Sequence, residues 1–147
     1  MDSGPLPGGV IEIADNEAET ASDYTREAFK AADMLMMVEL QNELLRTTAA
    51  FYLEHGMWCT LHGLRRAYDD DLQHTKYYQF LLKSATKGMV SSHYDNSDKW
   101  DQAIHAVEDR PQVLTDLLRS MRRWVQEPWT EFPRGDLAEF LTTDPCE

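Results

Sequence analysis

Three side chains in the middle of the chain have types and spacing that could bind a metal. His55, Cys59 and His62 stand at i, i+4 and i+7, one side of a helix, and His74 or His93 would complete a zinc set. Gly56 argues against a rigid platform there, and no Cys-x-x-Cys or His-Glu-x-x-His accompanies them. Cys59 is expected instead as a small core residue, with no metal and no cofactor. Arg119, Arg122 and Arg123 form a second candidate: a basic stripe for phosphate or an acidic partner, or else a solvated helix face. Lone carboxylates such as Glu39 and Glu43 read more simply as the polar edge of a helix. A phosphate loop and a Gly-x-Ser-x-Gly elbow are both missing, so the chain is not expected to be an enzyme.

The elements that must position these residues are helical. Phe29, Met36, Leu40, Leu44 and Phe51 recur at helical spacing, and Leu35, Val38, Leu45 and Tyr52 add a second stripe. Ser22 or Asp23 can cap this helix, which is placed at about 22–54, continuous or broken. A helix follows through Leu64 toward Asp71, and another over 72–86 that stops at Gly88. Ser97 can cap a helix with Trp100, Ile104 and Val107. Pro111 opens a further one carrying Val113, Leu114, Leu117, Leu118, Met121 and Val125. Asp136 can cap a short last helix. The fold expected is all-α, a single bundle of about six helices, with an acidic disordered arm over 1–20, a helical domain over 21–142 and an acidic tail over 143–147.

The chain has 147 residues and a net charge of −12. Residues 1–24 hold six acids and no Lys or Arg, and residues 127–147 hold six acids and one Arg. The span 25–126 carries 14 acids and 13 bases, so the acidity belongs mostly to the ends. Binding to nucleic acid is disfavoured. Two cysteines cannot build a disulfide framework, no signal peptide is visible, and the longest apolar run, Met34–Val38, is too short for a membrane span. A cytoplasmic protein is expected.

A more specific reading starts at Leu64-Arg65-Arg66-Ala67-Tyr68-Asp69-Asp70. A leucine, a small residue and an acid fall where a helix docking in a groove needs them. The segment resembles the third homology motif of the Bcl family of apoptosis regulators, Leu-x-x-x-Gly-Asp, at Leu64, Ala67 and Asp69. Tyr94, Trp100, Ala103 and Ile104 are similar to the family's first motif, and Trp124-Val125-Gln126-Glu127-Pro128-Trp129 with Phe132 to its second. The three fall in the family's order. Tyr68 stands where the family has glycine, and Asp101-Gln102 stand where it has Gly-Arg. The resemblance is to a divergent, viral-type, soluble member. It implies an inhibitor of apoptosis that holds the amphipathic helices of pro-apoptotic proteins in a hydrophobic groove bordered by Tyr68, Tyr78, Trp100, Gln102 and Ile104. Leu64, Ala67 and Asp69 would form the protein's own motif helix, a groove wall or a ligand for a partner. The alternative is a helical scaffold or adaptor unrelated to apoptosis, a homodimer paired through Leu35, Val38, Leu45 and Tyr52.

Overall fold

The computed structural model describes residues 15–91, 97–134 and 137–141. Among these the protein is all-helical, an α-helical bundle without strands. The helices are α1 (Asp15–Met34), α2 (Val38–His55), α3 (Leu61–Asp69), α4 (Lys76–Val90), α5 (Ser97–His105) and α6 (Pro111–Gln126), followed by a 3-10 turn at Ala138–Phe140. Residues 15–20, read from sequence as arm, are helical. The rest of the arm and the 143–147 tail lie outside the described residues, as do Asp136 and His93.

One helix organises the others. α4 buries Tyr77, Tyr78, Phe80, Leu81, Leu82, Ser84, Ala85, Thr86, Gly88 and Met89, which surround its axis and leave little of it for water. A helix apolar on nearly all sides must be wrapped by others. Phe29 of α1 stacks on Tyr77 with ring centroids 4.5 Å apart. Phe80 gathers Tyr52, Phe132 and Phe140 at 6.2, 5.2 and 5.6 Å. On the α6 side a buried hydroxyl pair, Thr86 Oγ1 donating to Ser120 Oγ at 2.6 Å, satisfies two polar groups that burial would otherwise strand. Ser84 Oγ accepts the Cys59 backbone N–H at 2.9 Å and Lys87 Nζ donates to the carbonyls of Thr130 and Phe132, so polar atoms of α4 also fasten two connecting segments.

The long helix expected over 22–54 is two helices. The Met37 N–H bonds the Ala32 carbonyl and the Met36 N–H that of Asp33, with Met36 in the left-handed region at φ 56°. This is the six-to-one and five-to-two closure that ends a helix. The Gln41 side chain donates to the same Ala32 carbonyl at 3.2 Å, holding the corner shut from α2. α2 ends in the same closure at Gly56 and α3 at Asp71, where φ is 61° and 65°. The corner breaks the stripes: Leu45 and Tyr52 are core, whereas Leu35 is exposed. The dimer surface expected from Leu35, Val38, Leu45 and Tyr52 is therefore not one surface. Ser22 and Asp23 are not caps either, since α1 begins at Asp15.

Gly88 does not stop α4. It lies within the helix because Trp58 presses on it: a Cβ there would sit 2.9 Å from Trp58 Cβ and 3.1 Å from Cγ. Urea unfolding of three variants tests this account. Gly88→Ala is expected to destabilise by about 1–3 kcal/mol, because the clash is with the root of the indole side chain. Leu45→Glu should cost about 3 kcal/mol or more by burying an unpaired charge, and Leu35→Glu less than about 0.5 kcal/mol.

Candidate functional site

The segment with the strongest sequence pattern, α3, is a structural junction. Thr60 caps it by accepting the Gly63 N–H at 3.0 Å. Leu61, Leu64 and Ala67 are fully buried, facing α4, so the apolar positions of the motif are spent on this protein's own core. The polar face is tied down as well. Arg66 reaches Asp23 of α1 at 2.8 Å, and Arg26 of α1 reaches Asp70 at 2.6 Å. Burial works against the Arg26 charge, yet Asp70 and Asp23 hold its guanidinium above its ordinary pKa. Arg110, at the start of α6, donates to Asp69 at 2.9 Å, and Arg65 donates to the Ala106 carbonyl at 3.0 Å.

Of the five residues expected to border a groove, Tyr68 and Tyr78 meet in one cleft, of about 360 Å³, with Gln73, Gln79, Leu82, Gln112, Asp116, Arg119 and Arg123. Tyr78 is otherwise within the core, and its hydroxyl donates to Asp116 at 3.0 Å. Burial first, and then the Asp116 carboxylate, push its pKa upward. Trp100 and Ile104 come from α5, one turn apart, and lean half-buried on the edge of the core. Gln102 is exposed. Trp100, Gln102 and Ile104 do not line this cleft.

A second cleft, of about 410 Å³, adjoins the first through shared Gln79, Leu82 and Arg123, and adds Lys76, Lys83, Ser120, Trp129, Glu139 and Phe140. Together they make a trough along α4 and α6. Trp129 closes one end, edge-to-face with Trp124 at 5.2 Å, and Lys83 Nζ lies 5.0 Å from its ring centre. Its indole nitrogen is buried without a hydrogen-bond partner. Sequence reasoning found Arg119, Arg123 and Tyr78 of this trough but not Lys76, Gln79 and Lys83 of α4, because nothing in a linear pattern reports which helix will face which.

The metal reading finds no support in the arrangement. No group of three His, Cys, Asp or Glu side chains that could hold an ion occurs among the described residues. The Gly56 turn separates His55, which packs on Phe51, from Cys59. Burial pushes the Cys59 thiol up to about 12, as for a small core residue. Among the described residues no helix is long and apolar enough to cross a membrane.

The most exposed apolar feature is the corner between α1 and α2. Met34, Leu35 and Met36 are each about 70% exposed or more, and Met37 and Leu40 are exposed beside them. Asp33, Glu39 and Glu43 rim this corner, with Lys30 and Arg46 as the nearby cations. The five-residue run was visible in the sequence, but as part of a continuous helix it read as core.

In comparison with known proteins, no family model, no curated protein and no solved structure matches the chain.

The α3 junction carries its own test. The hydrogen bond from Arg110 holds the Asp69 carboxyl below its ordinary range, helped by the charges of Arg110 and Arg65 and opposed by partial burial. A depressed carboxyl contributes stability above its unfolded pKa, and that contribution is lost as pH falls through the folded value. Asp69→Asn should therefore lower the urea midpoint at neutral pH, and the gap to the parent protein should close as pH falls through and below the ordinary carboxyl range.

Proposed function

We propose that the protein is a binding module that captures an amphipathic helix of a partner protein on the apolar corner between α1 and α2. The observation that carries this reading is the run Met34–Met37 with Leu40, bare to solvent on a bundle whose other large apolar side chains are mostly inside. Contiguous apolar surface with a polar rim is where proteins meet. Methionines suit a helix whose apolar ridge is irregular, because their side chains are long and unbranched. The net charge of −12 and the acidic rim favour a partner helix with cationic flanks, and disfavour a second copy of this chain.

The narrower reading, a Bcl-like inhibitor of apoptosis, makes the partner the death-motif helix of a pro-apoptotic protein and puts the groove beside Trp100. What supports it is that all three motif segments converge on one core: Leu64 and Ala67 lie within it, and Trp100 and Trp129 pack against its edge. The two readings share a mechanism and differ in the surface used.

Calorimetry with cationic amphipathic peptides, death-motif helices among them, tests both. Binding at micromolar concentration, about −8 kcal/mol, is expected. It should weaken tenfold or more, about 1.4 kcal/mol, in Leu35→Glu and Met36→Glu. Loss in Trp100→Ala with no change in the corner variants would move the site to the Bcl-like groove. No heat with any peptide would overturn both.

A further inference from the structure

The protein has nearly two acids for every base, 26 against 14, so a cation without a carboxylate is unexpected in it. Most of the described cations are indeed engaged. Arg26, Lys30, Arg46, Arg65, Arg66, Lys83 and Arg110 each have an acid within ion-pair distance, and Lys87 is bonded to carbonyls. Lys76, Arg119, Arg122, Arg123 and Arg134 make no ion pair among the described residues. Three of these five, Lys76, Arg119 and Arg123, line the trough between α4 and α6.

The acids of the trough do not balance its cations. Asp116 lines it one turn before Arg119 and keeps its charge while accepting from Tyr78 at 3.0 Å and from Gln112 at 2.9 Å. At the other end Glu139 pairs with Lys83 at 2.9 Å. Lys76, Lys83, Arg119 and Arg123 thus face only these two carboxylates, with Gln79 and Ser120 among them as further polar groups. A concave site of some hundreds of Å³ has the size of a small-molecule site, and this one sets converging charges over Leu82 and Phe140 in a lining that is mostly polar, which suits a charged ligand.

We propose that this trough binds a small molecule carrying two or more phosphate groups, held by Arg119, Arg123 and Lys76. Guanidinium forks suit phosphate oxygens, which can accept two parallel N–H bonds. The extent of the cluster sets the size of the ligand. Charges beyond about 8 Å are largely screened at physiological salt, so a compact anion feels the cluster alone. A nucleic acid strand would run beyond it and meet no net positive charge, since residues 25–126 carry 14 acids and 13 bases. This site is separate from the α1–α2 corner and stands or falls independently of it.

Titration of the intact protein with pyrophosphate and with adenosine diphosphate tests the assignment, read by calorimetry and by the indole N–H signal of Trp129. Saturable binding at or below about 1 mM is expected, weakening as salt rises. Arg123→Glu should weaken it at least tenfold, whereas Arg122→Glu, the same charge change on the neighbouring residue outside the trough, should leave it within about threefold. Equal thermal midpoints of the two ligand-free variants exclude a folding defect. Tighter binding of the nucleotide identifies an organic phosphate as the source, and equal binding identifies bare phosphate. No saturation, equal loss in both variants, or tighter binding of a glutamate-rich peptide than of either phosphate would overturn the proposal.

Discussion

Burial of α4 on nearly every side is the constraint from which the remaining architecture follows. A fifteen-residue helix with ten buried positions cannot rest on one neighbour, so α3, α6 and the C-terminal 3-10 turn all lean on it and Phe29 of α1 stacks on its Tyr77. Its small residues decide how closely they come. Gly88 admits the Trp58 indole, and Ser84 and Thr86 let backbone and hydroxyl partners approach without stranding a polar atom. Such interiors pack as densely as organic crystals, so the shape of the outside is fixed by what fills the inside.

The helical class was legible because periodicity reports burial, and burial is what folds this chain. Pro111 at the start of α6 and Gly56 at the end of α2 were visible too, because each residue type suits few other positions. The closures at Met36 and Asp71 were not. They use the same hydrogen bonds as the one at Gly56, but with residues that usually avoid the left-handed region. Gly88 misled in the opposite direction, since a glycine that admits a neighbour looks in sequence like one that ends a helix. Of the candidate site, the individual residues could be picked out and their company could not. Tyr68 and Tyr78 converge on Asp116 and Arg119, while Trp100 belongs to a different edge of the bundle.

Charge is sorted in this molecule by task. The arginines of α1, α3 and the start of α6 are consumed in a lattice with Asp23, Asp69, Asp70 and Asp109 that sets how those helices meet. Exposed pairs of this kind are individually weak, and here they act as a set that fixes orientation. The arginines farther along α6 are left out of that lattice. The same residue type thus closes one end of the bundle and stays available along the side.

The corner at Met36 imposes a double burden. An L-residue with a side chain bears roughly 1 kcal/mol in the left-handed conformation that glycine adopts freely, and this methionine also leaves its thioether in water. Glycine or asparagine would hold the same bend with neither disadvantage. A bend made this way is a rigid pedestal: the backbone around Ala32 and Gln41 is locked, while the methionine tips above it keep their rotational freedom. Whatever settles there meets a fixed base with a pliant cap, and the freedom lost on contact is confined to a few side-chain torsions.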